Sequence, residues 1–324
     1  MRIAITGISS NLAKILLQHF SRENWDVDII GIDIVPPEIE DLPVQFHNIN
    51  ILNKSQLLPA LDGVDVVIHL AFIVSAINQP VSQLVNTCVE GSKNVFEAAL
   101  ARGVKKIIYT SSIAAYGYHP GTFTGYLKEN EPLRGEEQRW FYAKAKALVE
   151  KALVDISSRA PGTVFTVLRP SFILGPVAFM DNVKMFVGPI VNGKPYIFLK
   201  PRCFPKAMGQ FTHEDDVCQF IIKSIKEDLP GCFNIATDVE ELEPIYHKRG
   251  GTIKYIPWGL FHFIHWFVKR LNLKIRHDMD CFLLFKNPPL MDVSKIETTG
   301  FKRQFPNTGS IYDQCIEHMK QGNT

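Results

Sequence analysis

A chain of 324 residues, 46% of them hydrophobic, is long enough for one large domain with a smaller partner and ample for a core. A formal net charge of +2, with no Lys/Arg stripe, argues against nucleic acid as a partner. Six scattered cysteines (Cys88, Cys203, Cys218, Cys232, Cys281, Cys315) form no CxxC pair, which fits reduced thiols in a cytoplasmic protein better than a disulfide framework or a metal site.

In chain order, Arg2–Ile5 reads as a short buried strand and Thr6–Ser10 as a turn. A helix begins near Asn11 and runs through Leu16, Leu17 and Phe20. Nothing here resembles a basic segment followed by a long apolar run, so no signal peptide is expected. A strand, a polar turn and a helix N-terminus form a phosphate cradle: backbone N–H groups point at the ligand and the helix dipole favours negative charge. The dinucleotide fingerprint has three glycines at this place; the chain keeps Gly7 and has Ser10 and Ala13 in the other two slots. Val27–Ile32 is a second apolar run and ends at Asp33, 26 residues after Gly7. The fingerprint has an acid for the ribose hydroxyls roughly 20 residues on. A carboxylate repels a 2′-phosphate, and no Arg follows in Ile34–Glu40, so the pattern favours NAD over NADP. The plainer alternative is a solvated strand-end acid.

Val44–His47 reads as a third strand, Lys54–Leu61 as a helix, and the β-branched run Val64–Leu70 as a buried strand that leads into Ala71. Gln79–Arg102 has the spacing of a long helix, and Val104–Thr110 is another strand. This alternation predicts an α/β fold with a parallel, doubly wound sheet. The segment Ser111–Gly117 then falls at a C-terminal strand edge, where open α/β sheets bind ligands. Glu136–Ile156 reads as a helix whose Tyr142 and Lys146 are four apart and share a face. Taken alone, such a pair is usually a solvated helix face.

Eight segments in this order carry a resemblance: TGISSNLA (6–13), HLAF (69–72), SSIAAYG (111–117), YAKAK (142–146), LRPSFILGP (168–176), FTHEDDV (211–217), FNIA (233–236) and MDVSKIETTGF (291–301). The chain resembles the extended short-chain dehydrogenases, the NAD-dependent epimerase/dehydratase family, over nearly its whole length. That resemblance implies a Rossmann-type domain over residues 1–171 and a smaller, partly helical substrate region over 172–324, with segments that return to the sheet. It implies Tyr142 as general acid/base, Ser112 as hydrogen-bonder of the substrate oxygen, and Lys146 as holder of the nicotinamide ribose. A phenol of pKa near 10 is a poor base at neutral pH, and the resemblance gives Lys146 the task of lowering it. For the cofactor NAD it places Gly7, Ser10, Asn11 and Leu12 on the pyrophosphate and Asp33 on the adenosine ribose. Asn50 and Ile51 are then expected at the adenine, Leu70, Ala71 and Phe72 along the central wall, and Pro170 near the nicotinamide. Family members are often dimeric through the helices expected here over Gln79–Arg102 and Glu136–Ile156, so a homodimer is expected.

The departures from the family pattern are informative. Ser10 and Ala13 add bulk where glycine lets backbone approach phosphate. Asn50 stands where Asp is usual; an amide oxygen still accepts a hydrogen bond. Cys88 replaces an Asn, and a thiol is the poorer hydrogen-bonder. Phe172 and Gly209 fall where nucleotide-sugar enzymes carry Asn and Arg, and Ile113–Ala114 fill the slots of a dehydratase Asp-Glu pair. These argue against a nucleotide-sugar substrate and against elimination chemistry. Lys200, Arg202 and Lys206 are either solvated or meet an anion. Asp215 and Asp216 are expected to cap the following helix, with His213 structural. Tyr255–Leu273 is the most apolar stretch, too short to cross a bilayer. It is expected as a buried helix over the substrate pocket, with a hydrophobic-ligand lid or membrane-interface contact as alternatives.

The leading expectation is an NAD(H)-dependent oxidoreductase that interconverts a secondary alcohol and a ketone on a small or apolar molecule. The alternatives are an NAD-dependent sugar or nucleotide-sugar epimerase and a non-catalytic NAD-sensing binding protein.

Overall fold

The structure of the protein is a computed structural model and describes residues 1–38, 43–74, 79–118, 125–177, 179–199, 207–271 and 288–321. Lys200, Arg202 and Lys206 lie outside these residues. Strand and helix alternate as the patterning requires: β1 (Arg2–Thr6), α1 (Asn11–Arg22), β2 (Asp28–Asp33), β3 (Val44–Asn48), α2 (Lys54–Ala60), β4 (Val66–His69), α3 (Val81–Ala101), β5 (Lys106–Thr110), α4 (Phe141–Ser158) and β6 (Val164–Pro170). The second half holds β7 (Phe172–Leu174), α5 (Met180–Phe186), α6 (Gly188–Val191), β8 (Tyr196–Leu199), β9 (Met208–Gly209), β10 (Phe211–His213) and α7 (Glu214–Lys226). Then follow β11 (Gly231–Ile235), β12 (Glu240–Glu241), α8 (Leu242–Lys248), β13 (Ile253–Ile256), α9 (Trp258–Arg270), α10 (Ser294–Thr298) and α11 (Thr308–Lys320).

Seven strands form one sheet in the order β11-β6-β5-β4-β1-β2-β3. Every pair in it is parallel, with β1 at the switch between β2 and β4. This is a Rossmann-type doubly wound sheet. Side chains of a strand alternate between its faces, so one strand feeds two apolar layers. Ile3 and Ile5 face α1 and α7, where they meet Leu16, Phe20, Val217 and Phe220. Ala4 faces the other way, toward Leu57 of α2, Val95 and Phe96 of α3, and Val149 of α4. Fully buried parallel strands carry near-continuous apolar runs for this reason. The second half returns to the sheet through β11, where Phe233 pairs with Leu168 and Ile235 with Pro170.

The remaining strands make three two-stranded sheets, β10-β7, β12-β9 and β13-β8. Around them lies a third apolar cluster with Leu174, Phe186, Phe198, Phe211, Tyr246 and Tyr312.

Three expectations are corrected. The helix foreseen from Glu136 starts at Phe141; Gly135–Glu137 is a separate 3-10 turn and Gln138 is extended. Glu136 pairs with Lys151 at 2.5 Å and Glu137 with Arg134 at 2.9 Å, so these acids close local bridges instead of opening the helix. The cap of α7 is His213, which accepts the Asp215 N–H at 3.1 Å. Asp216 instead accepts the N–H groups of Gln304 and Phe305 at 2.7 and 3.1 Å and ties that loop to α7. Finally, α9 is not buried. Trp258 and Phe261 pack inward, but Leu260, Phe263, Ile264, Trp266, Phe267 and Leu271 are exposed. Apolar residues surround this helix, and packing against the body covers only one side of it.

Candidate active site

The site grows from the turn between β1 and α1. Ser10 caps α1: its Oγ accepts the Ala13 N–H at 3.3 Å. The helical ladder begins with Lys14 N–H to Ser10 O at 3.1 Å, so the N–H groups of Asn11 and Leu12 lie ahead of it at the positive end of the dipole. Gly7 has φ +72°, and a Cβ there would stand 2.5 Å from Ala71 N and 2.8 Å from Leu70 C. Only glycine lets the turn lie flat on the Leu70–Ala71 backbone. Asp33 ends β2 with its carboxylate tied to the same turn, accepting Ser9 N–H at 3.1 Å and Ile34 N–H at 2.7 Å. At the far rim, Asn50 is exposed and its Oδ1 accepts Leu52 N–H at 3.0 Å. Ile51 fills the space that a Cβ on Gly91 would take, 2.5 Å from its Cδ1.

A buried relay stands behind the wall. Thr6 and His69 are paired across β1 and β4. Thr6 Oγ1 and His69 Nδ1 are 2.6 Å apart, and His69 Nε2 and Ser92 Oγ 2.8 Å apart. Ser92 donates to Cys88 O at 2.7 Å, so it accepts from His69 Nε2–H. His69 Nδ1 then accepts from Thr6, whose oxygen accepts Ala71 N–H at 3.4 Å. One direction of donation runs from the wall to α3. Burial, with Lys146 nearby, pushes the imidazole down to about 3, so it is neutral at physiological pH.

Ser112 follows β5, and its Oγ accepts Ala114 N–H at 3.2 Å. Tyr142 and Lys146 point from α4 into the same place. Burial pushes the Tyr142 hydroxyl up to about 12, against the opposing influence of the neighbouring Ser112 hydroxyl. Lys146 Nζ donates to Thr110 O at 2.7 Å and sits 3.6 Å from the centroid of the Phe72 ring. The same ring meets Tyr142 edge-on at 5.5 Å. Burial lowers Lys146 to about 7. Lys146 therefore does not offset burial at the Tyr142 hydroxyl. Desolvation disfavours the ammonium more than Cys88 and Glu150, one turn on, favour it. Burial pushes the Cys88 thiol up, with the Ile73 backbone N–H beside it acting in the opposite direction.

The patterning missed the network beneath. Glu150, one turn past Lys146, accepts Arg169 Nη2 at 2.6 Å and Ser111 Oγ at 2.5 Å. Arg169 also donates to the Tyr116 hydroxyl at 2.7 Å, and Tyr116 donates to Asn234 Oδ1 at 2.7 Å. The signal was present: 142, 146 and 150 recur at helical spacing on one face. Pro170 ends β6 next to Ser171, whose Oγ donates to Gln210 O at 2.6 Å. Beyond it opens an apolar cavity lined by Ile113, Phe172, Phe186, Phe198, Met208 and Leu242, among others. Gly209 lines it too; a Cβ there would lie 2.8 Å from Leu242 Cδ2.

Residues 3–236 match the model of the NAD dependent epimerase/dehydratase family. The chain is 33% identical over 135 residues to the 3beta-hydroxysteroid-dehydrogenase/decarboxylase isoform 2 of Arabidopsis thaliana, which covers 41% of this chain and 23% of that protein. The chain thus spans about a quarter of that relative's length. It is 24% identical to the anthocyanidin reductase of the same plant, over 98% of this chain and 94% of the reductase. Its fold matches the solved dTDP-glucose 4,6-dehydratase of Bacillus anthracis in complex with NAD, with TM-score 0.73, 15% identity, and 99% and 97% of the two chains covered.

Proposed function

Because the chain belongs to the NAD dependent epimerase/dehydratase family, we propose that it is an NAD-dependent oxidoreductase that interconverts a secondary alcohol and a ketone on an apolar substrate. The residues present fit the cofactor. Gly7 keeps a cradle that a Cβ would fill, and the α1 N-terminus behind Ser10, Asn11 and Leu12 suits a pyrophosphate. The Asp33 carboxylate, anchored by two backbone N–H groups, is preset to accept ribose hydroxyls and to repel a 2′-phosphate. Asn50 and Ile51 frame the adenine end; Leu70, Ala71 and Phe72 form the wall, and Pro170 borders the nicotinamide end. When bound, the nicotinamide ring supplies the donor or acceptor of the hydride.

The chain's own residues handle the proton. Ser112 holds the substrate oxygen beside Tyr142. In the reducing direction Tyr142 gives its proton to the ketone oxygen; in the oxidising direction it takes the proton of the alcohol. Burial keeps the phenol protonated at neutral pH, which favours its service as an acid. Lys146, held on Thr110 O, is placed for the nicotinamide ribose and the phenol. Residues 1–171 would then serve the cofactor and 172–324 the substrate, and α3 with α4 would supply a homodimer face.

The apolar cavity next to Ile113 and Ser171 carries this reading. The two positions at which nucleotide-sugar enzymes carry polar groups, Phe172 and Gly209, both line it. An aromatic wall rewards apolar area and leaves a diphosphate without partners. The test is absorbance at the reduced-nicotinamide band with apolar cyclic ketones and, separately, nucleotide sugars. Stoichiometric loss with the ketones, abolished by Tyr142→Phe while calorimetric NAD binding stays near wild type, is the expected result. Conversion of a nucleotide sugar with no net absorbance change would establish the epimerase reading instead.

A further inference from the structure

The exposed side of α9 has no role in this chemistry. Leu260, Ile264, Phe267 and Leu271 recur at i, i+4, i+7 and i+11 and form one stripe, flanked by Phe263 and Trp266. All six are between 40% and 61% exposed. Phe263 lies flat beside Phe267, ring centroids 6.4 Å apart, and 6.3 Å from Trp266, so the aromatics form a continuous surface. A contiguous apolar face of this kind on a folded protein marks an interaction site.

Charge says which partner fits. Residues 244–277 contain no Asp or Glu, yet hold seven basic residues: Lys248, Arg249, Lys254, Lys269, Arg270, Lys274 and Arg276. Arg249 is taken by Asp313 at 2.7 Å. Lys254, in the strand that leads into α9, and Arg270, at its end, are both exposed. A second copy of the chain docked on this face would set its own Lys254 and Arg270 against the same cations. An anionic surface would instead be attracted. The helix has 13 residues, about 20 Å at the helical rise of roughly 1.5 Å per residue, against a bilayer core of about 30 Å. No described helix is long and apolar enough to cross a membrane.

We propose that α9 docks the protein on a lipid bilayer that carries anionic headgroups, lying in the interface with Phe263, Ile264, Trp266 and Phe267 among the acyl chains and Lys254 and Arg270 at headgroup level. Trp and Phe on one face with basic residues around it are what interfacial helices use. This does not depend on the reaction proposed above.

The experiment is flotation of the full chain with phosphatidylcholine vesicles, with and without phosphatidylserine, alongside Trp fluorescence. Wild type should float with the phosphatidylserine vesicles, less with phosphatidylcholine alone, and less at high salt. Its emission should shift to the blue, and Trp266→Phe should remove that shift. Phe263→Ser/Phe267→Ser, on an exposed face, should keep its circular dichroism and lose flotation by at least about tenfold, from the apolar area removed. Lys254→Glu should cost about fivefold or more on anionic vesicles only. Absent flotation of wild type, or equal flotation of the folded double-serine variant, would overturn the proposal. So would self-association that the double-serine variant abolishes without any vesicle binding.

Discussion

His69 shows how one residue can organise a wall. It lies on β4, neutral and fully enclosed, with its tautomer set by Thr6 on one side and Ser92 on the other. Through Thr6 it holds Ala71 N–H, which in turn lies against Gly7. This arrangement predicts an acid lability. The folded imidazole binds a proton only near pH 3, whereas the unfolded one binds it near 6.5. Between these values the unfolded state holds one more proton, so stability falls as pH drops, by about 1.4 kcal/mol per pH unit. Urea unfolding of wild type and His69→Gln from about pH 7.5 to about pH 4, which spans the ordinary imidazole value of 6.5, tests it. The wild-type advantage should shrink below 6.5; parallel curves would remove His69 from the account.

At the scale of the element, α4 does three tasks with one face. Tyr142 meets Ser112, Lys146 meets Thr110, and Glu150 meets Arg169, each one turn further along. The first two point to the site and the third anchors the helix to β6. Glu150 and Arg169 are 3% and 4% exposed, and the guanidinium raises no objection to burial only because Glu150 is there. A buried pair adds little net stability, but removal of one partner leaves an unpaired charge. Glu150→Gln should therefore cost about 3–5 kcal/mol, read from the denaturant midpoint. A loss under about 1 kcal/mol would show that Arg169 finds other acceptors as good, such as Glu129 O, which already takes Nη1 at 3.0 Å. The β1-turn-α1 element is the other fixed part. Its Ser10 is a helix cap, which explains how a serine is accommodated in a glycine slot.

At the scale of the whole molecule, the apolar cavity exists because two halves of the chain meet. Ile113 and Ser171 come from the edge of the large sheet, whereas Phe198, Met208 and Leu242 come from the small sheets and α8. Gly209 leaves it open, since a side chain there runs into Leu242. Gly209→Arg should fill the cavity: KM for an apolar ketone should rise at least about tenfold, the worth of some lost apolar burial, while calorimetric NAD binding stays unchanged. An unchanged KM would place the substrate elsewhere.

The sequence by itself determined the parallel sheet, the order of its helices and the turn at Gly7, because period, spacing and strand-end position are local quantities that a chain displays along its length; the set Ser112, Tyr142 and Lys146 was legible only as residues of a family motif. Only the tertiary structure decided the rest. Burial sets whether Lys146 keeps its charge and whether Tyr142 loses its proton, and burial is the sum of neighbours from distant segments. The partners of His69 and Glu150 stand 63, 23 and 19 residues away, so no window of sequence contains them. The same holds for α9: an apolar run is consistent with a core helix or a surface one, and the neighbours that would cover its second side are a property of the folded chain alone.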